Sequence, residues 1–170
     1  IDAATLTPEQ VEATRQLMEQ AERRLPPALL QALDPRIVLA WDELPAQVHG
    51  HASSRRLQLS RHLLEDWMAR LPESGSLEYA ADDPATRSAL SALIHELAHF
   101  YDRTGPGRLS KDPRLLDLAG WQVAPFRLGM RTSHNDFSDR SPDTYELTAP
   151  VEFVAVNLEH FLLDPDYICR

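Results

Sequence analysis

His95-Glu96-Leu97-Ala98-His99 is the stretch on which the reading of this chain turns. On an α-helix, residues four apart project from the same face. His95 and His99 therefore offer two imidazoles to one metal ion. Glu96 stands one position on, beside the metal rather than bound to it, where it can take a proton from a metal-bound water. Zinc suits this arrangement. It accepts nitrogen and oxygen ligands, has no redox chemistry and leaves a fourth position open for water. With 7 His and 12 Glu in the chain, chance supplies roughly 0.02 such pentads in a sequence of this size. The flanks Leu93-Ile94 and Leu97-Ala98 carry no charge, as a buried metal helix requires. The alternative is a helix with two solvated or core-satisfied histidines.

Working outward, Asp83 can cap this helix and Pro84 suits its first position. Apolar Leu90, Leu93, Ile94 and Leu97 carry it to about Tyr101, and residues 103–107 stop it. Upstream, Thr7-Pro8-Glu9-Gln10 is a helix start, with Val11, Leu17, Met18, Ala21 and Leu25 as its buried stripe and Pro26-Pro27 as its end. An Asp34-Pro35 turn precedes an apolar strand at 37–41. A second strand is expected within 47–52, and residues 56–60 alternate polar and apolar as a half-exposed strand does. A helix follows over 61–71 with Leu63, Leu64, Trp67 and Met68, then a loop over 73–81. Downstream, periodicity is weak as far as Pro142, apart from a short helix at 115–121. The last strong helix spans 148–163, with Thr148 or Ala149 at its start and Pro150 in its first turn.

A catalytic zinc usually has three protein ligands. The metzincin pattern fails here, because Asp102 stands where its Gly would be and Gly105 where its third His would be. No Glu occurs between Glu96 and Glu146. The remaining candidates are Asp112, Asp117, His134, Asp136, Glu146, Glu152 and Glu159. Glu152 is favoured, because a carboxylate set among Phe153, Val154 and Val156 is costly to bury unless paired or metal-bound. An exposed first-turn Glu stabilised by the helix dipole is the alternative.

Composition sets the outer limits. The chain has 170 residues, 43% of them hydrophobic and 25% charged, which suits one globular domain over residues 1–170, whether or not it is a fragment of a longer protein. The 26 acidic and 17 basic side chains leave a formal net charge of -9, which disfavours nucleic acid and anionic membranes as partners. No apolar run is long enough to span a bilayer. The single Cys169 excludes an internal disulfide and a multi-cysteine metal site. An exported protein, periplasmic or secreted, is expected in preference to a cytoplasmic one. Oligomeric state is open.

His95-Glu96-Leu97-Ala98-His99-Phe100-Tyr101-Asp102, followed at a distance by Pro150-Val151-Glu152-Phe153-Val154-Ala155-Val156, resembles the zincin peptidases of the gluzincin type. The pair of motifs is most similar to those of the anthrax lethal-factor-like and Mlc titration factor peptidases. In those families a Glu-Phe-Phe-Ala helix supplies the third zinc ligand, which maps onto Glu152. In the lethal-factor-like group a Tyr seven residues before that Glu assists catalysis, and Tyr145 stands there. Val154 replaces the second Phe, and Val156 replaces an acidic residue of some relatives. Without the resemblance, Tyr145 reads as a packing residue in a loop. Zincins also hold the substrate backbone against an edge strand before the metal helix. Residues 56–60 lie in the right order for that, with an interior strand as the equal alternative.

Other residues carry weaker signals. Asp102 lies on the helical face of His95, where it can bond a ligand or a nearby loop. A negative charge at a helix C-terminus is unfavourable, so a local partner is expected. Glu159 lies seven residues after Glu152 and either orients a ligating His or pairs with an Arg. His49 and His51 share a strand face, which is more often a surface accident than a site. His134 reads as a loop residue, and Trp41, Trp67 and Trp121 read as core. The expected fold is α+β and zincin-like, a small mixed sheet followed by the metal helix and a second helix carrying Glu152. The expected function is zinc-dependent hydrolysis of a peptide or protein substrate, with Zn2+ on His95, His99 and Glu152, Glu96 as general base and Tyr145 as oxyanion donor. A zincin-derived binding or regulatory module that keeps the metal but cleaves nothing is the alternative, and a structural zinc site a third. Neither needs a base at Glu96.

Overall fold

The computed structural model describes residues 1–74, 84–104, 108–118, 121–122, 130–131 and 144–163. Asp83, residues 105–107, His134, Asp136 and Cys169 lie outside them, as does most of the expected loop at 73–81. The described chain is α+β. It divides into two compact units, Ile1–Leu97 and Ala98–Arg170.

The first unit begins with α1 (Pro8–Arg24). Its start is a reciprocal cap: Gln10 N donates to Thr7 Oγ1 at 3.2 Å, and Thr7 N donates to Gln10 Oε1 at 2.9 Å. Two donors that a helix start leaves orphaned are thereby satisfied. Leu17, Ala21 and Leu25 are buried as the stripe requires, while Val11 and Met18 are only half-buried. Pro26-Pro27 does end α1, but Pro27 also opens a second helix, α2 (Pro27–Ala32), that periodicity did not reveal. A proline at the first helical position stops one helix and starts the next with the same ring. The Asp34 carboxylate then closes the turn into the sheet, accepting from Arg36 N at 3.0 Å.

Three strands follow: β1 (Val38–Asp42), β2 (Gly50–Ala52) and β3 (Arg56–Ser60). Their order is β1-β3-β2, with β1 parallel and β2 antiparallel to β3. The strand at 56–60 is therefore interior and hydrogen-bonded on both sides, so it cannot take up a substrate strand. The second strand is shorter than expected, because residues 45–48 form a turn closed by Val48 N on Pro45 O at 2.8 Å. Alternation on β3 buries Leu57 and Leu59 and leaves Arg56 and Gln58 half-buried. Gln58 donates to Asp42 at 2.8 Å, and Arg56 pairs with Asp2 at 2.9 Å. Helix α3 (Arg61–Ser74) runs three residues past its expected end and packs on α1 and the sheet with Leu63, Leu64 and Trp67 buried.

Two buried tryptophans in this unit differ in their polar handles. Trp41 Nε1 donates to Thr14 Oγ1 at 2.9 Å, and Thr14 Oγ1 donates onward to Gln10 O at 2.7 Å. Trp67 Nε1 finds no hydrogen-bond partner among the described residues. A net hydrogen bond contributes about 1 kcal/mol, whereas an unsatisfied buried donor costs about 1–3 kcal/mol. Both Trp→Phe changes lose ring area, but only Trp41→Phe also loses a bond. Trp41→Phe is expected to destabilise by about 1–2 kcal/mol more than Trp67→Phe in urea denaturation. Equal costs would mean that the Trp67 N–H is satisfied.

Helix α4 (Pro84–Thr104) carries the His-Glu-x-x-His motif and runs to Thr104, one turn beyond the expected end. Its last turn closes on itself: Thr104 Oγ1 donates to Phe100 O at 2.7 Å, and the Arg103 guanidinium sits 4.7 Å from the Phe100 ring centre. In the second unit, a 3-10 turn at Leu109–Lys111 leads into α5 (Pro113–Leu118), shorter than and shifted from the expected 115–121. Trp121 lies instead in β4 (Trp121–Gln122), which pairs antiparallel with β5 (Met130–Arg131). A 3-10 turn at Thr144–Leu147 then precedes α6 (Pro150–Leu163), as the capping signals require. Phe153 of α6 packs on the buried Leu116 of α5. Among the described residues no helix is long and apolar enough to cross a membrane.

Candidate metal centre

One turn of α4 separates His95 from His99. Both side chains are half-buried, while Ile94, Glu96, Ala98 and Phe100 between and around them are buried. Glu152 stands in the first turn of α6. Its carboxylate Oε2 lies 3.4 Å from His99 Nε2, and neither side chain is more than 18% exposed. His95, His99 and Glu152 each offer one ligand atom, and these atoms lie within 4.8 Å of one another. No other group of three such residues forms among the described residues. A tetrahedral zinc with bonds of about 2.0–2.2 Å holds neighbouring ligand atoms about 3.3–3.5 Å apart. The 3.4 Å between His99 Nε2 and Glu152 Oε2 matches one edge of that tetrahedron. Two imidazoles and one carboxylate are a donor set that zinc accepts with a fourth position left for water. The residues present therefore fit the ion.

Glu96 does not belong to that group, as its one-residue offset on the helix dictates. It is 6% exposed. Its side chain lies against β2: a Cβ built on Gly50 would stand 2.6 Å from Glu96 Cγ and 2.7 Å from Oε1. The His49-Gly50-His51 triplet thus matters for its glycine rather than its histidines. His49 and His51 are both exposed, and His49 meets His62 edge-on at 5.8 Å between ring centres. A lone glycine inside a strand is a sign of close approach, and that signal was available in the sequence.

The other candidate ligands have different employment. Asp112 caps α5: it accepts from Arg114 N at 2.9 Å, and its backbone carbonyl accepts from Leu116 N at 3.0 Å. The Arg114 amide and guanidinium hold its carboxyl below the usual aspartate range. Asp117 is exposed on α5, and Glu159 is half-buried on α6. Glu146 is buried and accepts from Asn157 Nδ2 at 2.7 Å, while the same amide donates to Phe153 O at 2.8 Å. This ties the Thr144–Leu147 turn to α6. Asn157, a lone amide in an apolar helix, was the overlooked signal for it. Asp102 is buried and has the local partner its position demands: Ser110 N and Ser110 Oγ donate to its two oxygens at 2.8 and 2.6 Å. Of the two roles open to it, it holds the following loop. Tyr145 lies in the 3-10 turn before α6 and is 49% exposed, so it is not a core packing residue.

No curated protein and no solved structure matches the chain. One sequence family does, over residues 1–107 and 105–170, and its description is a domain of unknown function. The two matches together span the whole chain, which therefore belongs to the DUF7844 family.

Proposed function

We propose that this protein is a zinc-dependent peptidase of zincin-like fold. The observation that carries the reading is the convergence of His95, His99 and Glu152, with ligand atoms within 4.8 Å of one another. Glu152 is 53 residues beyond His99 in sequence, so helical periodicity cannot account for their meeting. A His-Glu-x-x-His helix followed by a second helix bearing a Glu ligand is the order implied by the resemblance to gluzincin-type peptidases.

His95 and His99 would hold the ion as neutral imidazoles and Glu152 as a carboxylate. Zinc, when bound, supplies a Lewis acid for the scissile carbonyl and lowers the pKa of water toward ~7. The remaining work belongs to the chain. Glu96, buried and outside the ligand group, takes a proton from the attacking water and passes it to the leaving amine. The water oxygen bonds to the carbonyl carbon, the carbon–nitrogen bond breaks, and Glu96 ends deprotonated as it began. Tyr145 donates a hydrogen bond from its hydroxyl to the developing oxyanion. A purely structural zinc site would have no use for a buried carboxylate beside the ligands.

Elemental analysis of purified protein together with cleavage of a broad peptide library tests the proposal. About one zinc per chain and chelator-sensitive cleavage are expected. Zinc without any cleavage would overturn the peptidase reading and leave the non-catalytic module and the structural zinc site. Tyr145→Phe keeps the ring and removes the donor. Losing one oxyanion donor costs ~10²–10³ in turnover, and the exposure of Tyr145 places it at the lower end, about 10²-fold. The loss should appear in kcat more than in KM, with zinc content unchanged. Wild-type kcat in this variant would pass the oxyanion role to another group.

A further inference from the structure

Gly50 has no conformational reason to be glycine. It sits in an extended strand, paired with Leu59 of β3, and its φ is outside the left-handed region. Any residue can adopt that backbone. What Gly50 supplies is space. A Cβ there would fall 2.6 Å from Glu96 Cγ, 2.7 Å from Oε1 and 3.0 Å from Cδ, where ordinary contact begins at 3.4 Å. The strand is held against relieving the conflict by its pairing to β3. β2 is paired along its length to the interior strand β3, whose Leu59 is fully buried, and Ser60 N donates to His49 O at 2.9 Å next to Gly50. Nor can α4 retreat, because Ile94 and Ala98 on either side of Glu96 are buried. The movable part is the Glu96 side chain, which must shift by about 0.8 Å or change rotamer to admit a methyl group.

We infer that Gly50 is a positioning residue for Glu96: the bare backbone of β2 is the bed that fixes where the carboxylate lies. This rests on the reading of Glu96 as general base, and it adds the strand residue that sets that base in place. A general base works only within hydrogen-bond reach of the proton it takes. Displacement of a catalytic group by about 1 Å can cost about 10²-fold in rate.

Two measurements on the protein test it. In the first, Gly50→Ala is expected to lower kcat by about 10- to 100-fold, with zinc content unchanged and KM altered by less than about threefold. A general loosening of the fold would instead reduce zinc content or raise KM. The second needs no activity. Thermal unfolding of wild type, Gly50→Ala, Glu96→Ala and the double variant forms a cycle. Gly50→Ala should lower Tm by several degrees when Glu96 is present and by less than about 1 °C in the Glu96→Ala background, where the obstructing atoms are gone. If Gly50→Ala alone fails to fold, the double variant should fold as Glu96→Ala does. Wild-type kcat in Gly50→Ala, an equal Tm loss in both backgrounds, or a double variant that also fails to fold would overturn the inference. If the wild type cleaves no peptide, the peptidase reading fails separately, and the thermal cycle still decides whether Gly50 sets the position of Glu96.

Discussion

Glu96→Gln is expected to abolish hydrolysis while the protein keeps its zinc. The change removes one proton-accepting oxygen and nearly nothing else, since Gln matches Glu in length and shape. General-base catalysis contributes about 10²–10⁴-fold, and an amide cannot take the proton. In the proposed site the metal ligands are His95, His99 and Glu152 and not Glu96, so zinc content should stay near one per chain. Glu96 is 6% exposed, and Gln fills the same space, so a cooperative thermal transition is expected together with lost turnover. Cleavage of a confirmed substrate at the wild-type rate would overturn the mechanism.

Glu152→Ala should produce the complementary result, in which zinc and activity are lost together. Structural zinc sites bind with about 10–16 kcal/mol over four ligands, so a single ligand's share of about 3–4 kcal/mol corresponds to ~10²–10³ in affinity. The variant removes the only carboxylate of the ligand group and leaves His99 without the oxygen now 3.4 Å from its Nε2. Zinc should also raise the Tm of the wild type in proportion to its occupancy, and that rise should shrink in the variant. Zinc titration with a competing chelator measures the first effect, and thermal unfolding with and without added zinc measures the second. Undiminished affinity would remove Glu152 from the site. Taken together, the two variants separate the proton carrier from the metal cage: one keeps the ion without turnover, the other loses both.

Much of this protein was legible in its sequence wherever the decisive interaction is local. The reciprocal cap of Thr7 and Gln10 spans three residues, and the helical pitch alone sets His95 and His99 on one face, so neighbours in the chain carry all the information required. The same holds for β3, whose bounds Arg56–Ser60 follow from period-two alternation. Alternation does not say on how many sides a strand is paired, and only the β1-β3-β2 order made this one interior. Helix α2 escaped because six residues hold too few turns for a period to show, and its proline reads equally as a stop. Among seven candidates for the proposed third ligand the sequence favoured Glu152 by its apolar setting, but only the fold brought it to His99 and gave Asp112 to a helix cap and Glu146 to Asn157. Gly50 is the clearest case of tertiary decision. Nothing in His49-Gly50-His51 names its partner, because the atoms that exclude a side chain there belong to Glu96, 46 residues away in the chain and in van der Waals contact in space. Pitch, capping and alternation act between near neighbours and are written locally; excluded volume acts between whichever atoms the fold brings together.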